Sequence, residues 1–453
     1  MTWEGTTLLP AAMEAVIEKS RSFGLGRYPI SFWNYTNLAE HRDHLGEEAV
    51  AEWADAGFTV PQSSYFDPTD PIQHAHIGEM LDWCEKYGMK LIVCDPRATA
   101  QHAAPGSEGP LPAGYVEGLK AAIEEFGDHP ALFGFHVGDE PGKDQNAAFF
   151  ESYRQQKLLA PDLHPFANLL PYWDGALAHV GAESWPAYLD DFAQKSNADL
   201  FSYDCYGQMV APNPDLNGYF ENLRLYREAS IRNGIPFWNT VLSVGHFRYR
   251  CPNVDELRWQ FNTTIAAGAN GVLWFFYYMR EPHDNYRLSP VDEHWDKTDT
   301  WHHLRRWQLN FHTHYGDLFT RLVSTRVTFV GEAYGGGKVF TPNGLVSKVE
   351  PDKADHPVLI GEFADADERR YVMVVNNSMS ESVNVRITFP GADVKTYSWN
   401  WQGQEKEGGA YCCGGAMTRD EAGLTGGHWL APGQEFVYRV DSSQAAQEPI
   451  VAK

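Results

Sequence analysis

Ala131-Leu-Phe-Gly-Phe-His-Val-Gly-Asp-Glu-Pro141 is the stretch on which the reading of this chain turns. An apolar run of strand length ends abruptly in Gly138-Asp139-Glu140-Pro141. Proline has no N–H to give to a ladder, so the strand stops there. Two carboxylates therefore sit where a buried strand meets a loop. Burying them is costly unless they are hydrogen-bonded or do chemistry. The structural alternative is an acid that merely caps the next helix. In a (β/α)8 barrel, the C-terminal ends of the strands are where catalytic side chains collect.

The flanking sequence repeats this layout. Apolar runs at 28–33, 58–63, 90–95, 132–138, 165–170, 200–206, 236–241 and 271–277 read as strands. Stretches of helical periodicity separate them, at 46–56, 72–87, 113–126 and 255–267 among others, and 301–322 reads as the last helix. Alternation of this kind predicts a parallel sheet with helical crossovers. Eight such strands fit a closed (β/α)8 TIM barrel over residues 1–325. A doubly wound open sheet would instead announce a glycine-rich phosphate loop after its first strand, and none follows Trp33.

The period then changes. Short β-rich runs at 327–330, 345–349, 358–363, 371–376, 383–389 and 436–440 are punctuated by Gly, Pro, Asn and Asp. They predict a C-terminal antiparallel β-sandwich over 326–441, followed by a flexible polar tail at 442–453. The overall expectation is an α/β barrel followed by an all-β domain.

Composition excludes several partners. A net charge of −24 disfavours nucleic acid and anionic membrane surfaces. No apolar run approaches the ~20 residues of a membrane span. The N-terminal segment lacks the basic-then-apolar pattern of a signal peptide, which points to a cytoplasmic location, although a mature secreted form would read the same. Cys84, Cys94, Cys205, Cys251, Cys412 and Cys413 match no zinc spacing. The histidines of the last helix, His302, His303, His312 and His314, read as surface or core residues rather than metal ligands.

The predicted strand ends are polar and aromatic. They carry Trp33 and Asn34, Asp95, Asp139 and Glu140, Trp173, Asp204 and Tyr206, Trp238 leading to His246, and Trp274 leading to Glu281. In a closed barrel these ends converge on one acidic mouth rimmed by aromatics. Such a mouth suits cleavage of a glycosidic bond. One carboxylic acid protonates the poor leaving group, and a second carboxylate attacks or stabilises the oxocarbenium-like centre or activates water. Aromatic faces hold sugar rings.

On these residues the chain resembles the clan A glycoside hydrolases, such as the family 42 β-galactosidases. Gly138-Asp-Glu-Pro141 is similar to their acid/base motif, in which Asn usually stands where Asp139 does. Arg250-Cys-Pro-Asn-Val-Asp-Glu-Leu-Arg-Trp-Gln260, Ala266-Ala-Gly-Ala-Asn-Gly-Val-Leu-Trp274 and Leu430-Ala-Pro-Gly-Gln-Glu-Phe436 are further points of likeness. The resemblance implies that Glu140 is the general acid. It does not supply the nucleophile. The clan places a Glu at the end of its seventh strand, whereas here that strand reads Pro236-Phe-Trp-Asn-Thr-Val-Leu-Ser-Val-Gly-His246, without an acid.

Asp204 is then the first choice for the second carboxylate, ahead of Asp95 and Glu281. Asp139, Asp95, Trp33, Asn34, Trp173, Tyr206, Trp238, His246, Trp274 and Glu281 are the expected sugar contacts. The chemistry requires no cofactor and no metal. The partner is an oligosaccharide or glycoside, and a homo-oligomer is allowed. Two rival readings remain open. One is a non-catalytic carbohydrate-binding protein on a hydrolase scaffold. The other is a metal-dependent lyase or isomerase using Asp95, Asp204 and His246.

Overall fold

The computed structural model describes residues 9–102, 106, 109–280, 285–408 and 417–445. Its first half is built on seven parallel strands: β1 (Ile30–Phe32), β2 (Leu91–Val93), β3 (Leu132–Asp139), β4 (Phe166–Leu169), β5 (Phe201–Asp204), β6 (Phe237–Leu242) and β7 (Gly271–Phe275). They pair in the order β1-β7-β6-β5-β4-β3-β2. The sheet is curled and wrapped by helices in the manner of a TIM barrel. Every β1, β2 and β4–β6 residue is buried, as expected for parallel strands covered on both faces.

The gap between β1 and β2 is filled by residues 59–63, the run expected to be the second strand. Thr59 and Val60 donate to the Ile30 carbonyl at 2.9 and 3.2 Å, and on the other side Ile92 donates to Pro61 and Ser63 to Ile92 at 2.9 and 2.8 Å. The segment bonds to both neighbours but is not a regular strand. Pro61 lacks an N–H at its centre, which interrupts the ladder.

Eleven further strands follow: β8 (Val323–Val330), β9 (Lys338–Val339), β10 (Lys348–Pro351), β11 (Val358–Ala364), β12 (Arg370–Asn376), β13 (Val383–Pro390), β14 (Lys395–Trp399), β15 (Glu405–Glu407), β16 (Thr418–Asp420), β17 (Gly423–Leu430) and β18 (Glu435–Asp441). They form two sheets, ordered β10-β13-β17-β16 and β15-β14-β18-β12-β11-β8-β9. One core joins them: Val385, Ile387 and Phe389 of the smaller sheet pack with Ile360, Val374 and Tyr438 of the larger. Ala445 is buried against this core, while the rest of the expected tail, 446–453, and the Cys412–Cys413 pair lie outside the described residues. Cys84, Cys94 and Cys205 are buried free thiols.

The larger sheet lies against the barrel helix Val254–Ala266. Arg258 Nε donates to the Pro432 carbonyl at 2.7 Å, Asn262 Nδ2 to Gly433 at 2.9 Å, and Trp259 Nε1 to Asn377 at 3.0 Å. Gly433 has φ +67, and a Cβ there would stand 2.4 Å from the Trp259 backbone, so helix and turn meet main chain to main chain. Among the described residues no helix is long and apolar enough to cross a membrane.

Candidate active site

The decisive strand β3 ends one residue later than its sequence suggests, at Asp139. Gly138 sits at φ +155, where a Cβ would stand 2.3 Å from Gln101 Oε1. That close approach lets the Gln101 amide grip the Asp139 main chain. Its Oε1 accepts the Asp139 N–H at 2.7 Å, and its Nε2 donates to the Asp139 carbonyl. Glu140 then takes a left-handed conformation, φ 46, and its N–H bonds to the Asn168 carbonyl at 2.9 Å. Such backbone is uncommon for Glu and is kept where surrounding bonds over-determine it. The turn leaves the Glu140 side chain exposed.

Asp139 pairs in register with Asn168 of the next strand. Asn168 Nδ2 donates to Asp139 Oδ1 at 2.9 Å and to Asp204 Oδ1 at 3.1 Å. One buried amide thus joins the acids of β3 and β5. Both carboxyls are pushed towards the neutral form. Burial, then the Glu140 charge, raise Asp139 to about 7 against the Asn168 bond. Burial, the charges of Glu140 and Asp139, and a hydrogen bond shared with Glu140 raise Asp204 well above the usual carboxylate range. Like charges this close cannot all ionise.

Around the three acids lies a cavity of about 310 Å³. Trp33 and Tyr35 enter from the β1 end, Asn168 and Pro171 from β4, and Cys205 and Tyr206 from β5. His246, Phe247 and Tyr249 enter from the loop after β6, and Phe275 from β7. Tyr206 lies against Phe275 with ring centres 5.2 Å apart, and the Arg280 guanidinium covers Tyr35 at 4.1 Å. His246 is buried and its Nδ1 has no partner. Burial, then the Arg287 charge, lower it to about 4, so its imidazole is neutral near pH 7.

The structure brings together Glu140, Asp204, Asp139, Trp33, Tyr206 and His246 of the expected set. It separates the others. Asp95 is enclosed and held bidentately by Arg97, with contacts of 2.7 and 3.0 Å, while also accepting the Arg97 N–H. Its charge is consumed structurally, and it does not line the cavity. Asn34 is buried, bonded through its amide to Gln62 and Thr36. Trp238 points into the barrel interior, its ring 5.5 Å from Phe133. Trp274 points outward, against Phe261, with Nε1 bonded to Gln308 at 2.7 Å. Trp173 is exposed beside His179, outside the cavity lining. Glu281 lies outside the described residues.

With Asp95 bound to Arg97, the Asp95–Asp204–His246 metal set does not assemble. Among the described residues the only convergent trio of metal-ligating groups is Asp82, Glu85 and His129. There His129 Nδ1 accepts the Ala131 N–H, so its proton sits on Nε2, facing Asp82. Arg250 is bound to Glu256 at 2.6 Å, and His312 bonds to the Gly57 carbonyl.

Sequence reasoning missed Asn168, Phe247 and Tyr249. Only Asn168 left a signal, as a polar residue inside an otherwise apolar strand at 165–170.

No family profile and no curated protein sequence matches the chain. Solved structures do. A catalytic mutant of a family 42 β-galactosidase from G. stearothermophilus superposes with TM-score 0.59 at 9% identity, over 91% of this chain and 98% of that one. A family 5 glycoside hydrolase from Bacteroides vulgatus gives 0.55 at 12%, over 94% and 92%. A family 39 glycoside hydrolase from Bacteroides cellulosilyticus gives 0.51 at 14%, over 94% and 82%. The chain has the fold of these glycoside hydrolases. At such identities the likeness concerns the fold alone.

Proposed function

We propose that the protein is a glycoside hydrolase acting on a carbohydrate at the mouth of a barrel formed by residues 1–325, with 326–441 as its β-sandwich partner. The observation that carries this reading is the Glu140–Asp204 pair. Two carboxyls share a hydrogen bond, one exposed to the cavity and one buried beneath it, among aromatic walls. Burial and the neighbouring charges favour the protonated form of the buried member, and its proton is shared across that hydrogen bond.

Glu140, the exposed member, hands that proton to the glycosidic oxygen as the bond from the anomeric carbon to that oxygen breaks. The pair is then fully ionised, and its negative charge faces the oxocarbenium-like sugar. Water adds to the anomeric carbon and its proton returns to the pair. Asn168, itself bonded to Asp139, holds Asp204 in place from the side, and Tyr206, Trp33 and Phe275 offer faces to the ring. The solved structures with this fold are named as glycoside hydrolases of several families, which supports the same reaction class.

The test is hydrolysis of a panel of aryl and natural glycosides by the wild type and Glu140→Gln, with proton NMR of the first-formed anomer. Loss of turnover in the variant supports the assignment, and wild-type turnover in it overturns the role of Glu140. Retention of configuration means that Asp204 attacks the sugar, and inversion means that it activates water.

A second reading is favoured by one observation. No carboxylate from β6 or the loop after it lines the cavity, and neutral His246 lies there instead. A carbohydrate-binding protein on this scaffold would bind sugars and release no product over long incubation.

A further inference from the structure

Phe247 is the most exposed aromatic of the cavity lining, at 65%. It has a left-handed backbone, φ 46, a conformation that bulky residues rarely adopt. The turn that displays it is pinned on several sides. Gly245 and Arg287 exchange both main-chain bonds, at 2.9 and 2.8 Å, and Tyr249 N–H closes the turn onto the His246 carbonyl at 2.8 Å. Asn285 Nδ2 donates to the Phe247 carbonyl at 3.1 Å. The ring stands 5.1 Å from that of His246 and 6.2 Å from that of Tyr286, both tilted, so one face is backed by aromatics. The fold therefore holds a large apolar ring in water at the lip of an acidic cavity, in a backbone state that glycine or asparagine would adopt more readily. Among the described residues, nothing in the packing of the barrel uses the exposed face.

We infer that Phe247 is a stacking platform for the leaving group. The substrate class is then a glycoside whose aglycone presents a flat apolar face, either a second pyranose ring or an aromatic alcohol, rather than a simple alkyl glycoside. This rests on the hydrolase reading, because a leaving group exists only if a bond is cleaved. The depth of the site agrees. Asp204 and the buried His246 occupy its floor, where the reacting sugar must sit, with Glu140 exposed above them, so Phe247 at the rim meets what is attached to that sugar. Sugar C–H faces and aromatic rings both pack on an aromatic side chain.

The experiment compares benzyl and methyl glycosides of whichever sugar the panel shows to be turned over. The two alcohols have similar basicity as leaving groups, so they differ chiefly in the flat ring. The wild type should favour the benzyl glycoside about ten-fold in kcat/KM, the size of one aromatic contact. Phe247→Ala should abolish that preference and leave the methyl glycoside within about two-fold of the wild-type value. Phe247→Asn, which suits the left-handed backbone, should do the same and separates loss of the ring from loss of the turn. Phe247→Tyr should keep the preference. An unchanged preference in both Phe247→Ala and Phe247→Asn overturns the platform, as does a wild type with no preference. If the panel shows no sugar to be turned over, the hydrolase reading fails, and the benzyl and methyl glycosides are then those of the panel sugar that binds most tightly. Binding of the same two compounds, followed by calorimetry, then decides the platform separately. A benzyl preference that disappears in Phe247→Asn sustains a ring-binding role, and equal binding or none overturns it.

Discussion

Asp199 and Asp204 bracket the same strand and have opposite fates. Asp199 lies before β5, at the bottom of the barrel. Its carboxylate meets Lys157 and His164 at 2.8 Å each and the Tyr153 hydroxyl at 2.7 Å. Burial works to raise it, but the His164 and Lys157 contacts outweigh burial and hold it down to about 2. Asp204 closes the strand at the top, where its neighbours are two more acids and an amide, and burial with their charges pushes it towards the neutral form. The bottom satisfies its acid with cations and spends it on stability. The top crowds acids together, which costs stability and stores a reactive proton. In barrels the mouth is the place for chemistry and the base is the place for stability. Asp95 warns that position alone is insufficient: it sits at the top after β2, yet Arg97 makes it a structural acid.

The largest expected difference is in turnover. Glu140→Gln should lower glycoside hydrolysis by about a thousand-fold, within the range of general acid catalysis, with an unchanged melting temperature. A comparable loss in a well-folded Asp199→Asn variant would break the contrast between the two ends. Stability should divide the other way. Asp199→Asn leaves Lys157 and His164 without their counter-charge and should cost about 3 kcal/mol in urea unfolding. Asp204→Asn should hold or raise stability while turnover collapses, because it removes a group that burial already penalises when charged.

The pH dependence sharpens the same comparison. The folded pKa of Asp139 is raised, so the native state binds its proton more tightly than the unfolded chain. Its contribution is greatest below about pH 4 and falls as pH rises to about 7. Asp139→Asn should flatten that decline in unfolding free energy measured across the interval. Asp199 has the opposite sign. Its contribution is complete above about pH 4 and is lost as pH falls towards about 2. The smallest effect is expected at His246. Replacing a neutral imidazole by Gln should lower kcat/KM about five-fold and leave the profile above pH 5 unmoved. A new ionisation near neutrality governed by His246 would contradict its burial.

The alternation of strand and helix was legible because burial on both faces forces continuous apolar runs. The second strand position escaped regular geometry through Pro61 alone. In the C-terminal sheets, the strongly apolar β11, β12, β13 and β18 were readable. Gly423-Leu-Thr-Gly-Gly-His-Trp-Leu430 was not, because its glycines give no period. For the site, Asp139, Glu140 and Asp204 were readable as acids at strand ends. The aromatics were not, because a strand shows alternation without saying which face is inward. Trp238 and Trp274 occupy adjacent strands and point to opposite sides of the wall. Asp95 was less readable, because an arginine two residues on is consistent with a free pair of charges as well as with the bidentate clamp that the structure shows.

The main-chain contact at Gly433 has a consequence for how this protein could have diversified. Many enzymes exchange accessory modules through a linker. Here the turn before β18 is pressed against the backbone of the Val254–Ala266 helix, which follows directly from the loop that carries His246 and Phe247. No new module could be attached at that place without rewriting the helix as well. Barrel and sheets are therefore expected to have changed together as a single hereditary unit, with novelty confined to the loops at the mouth.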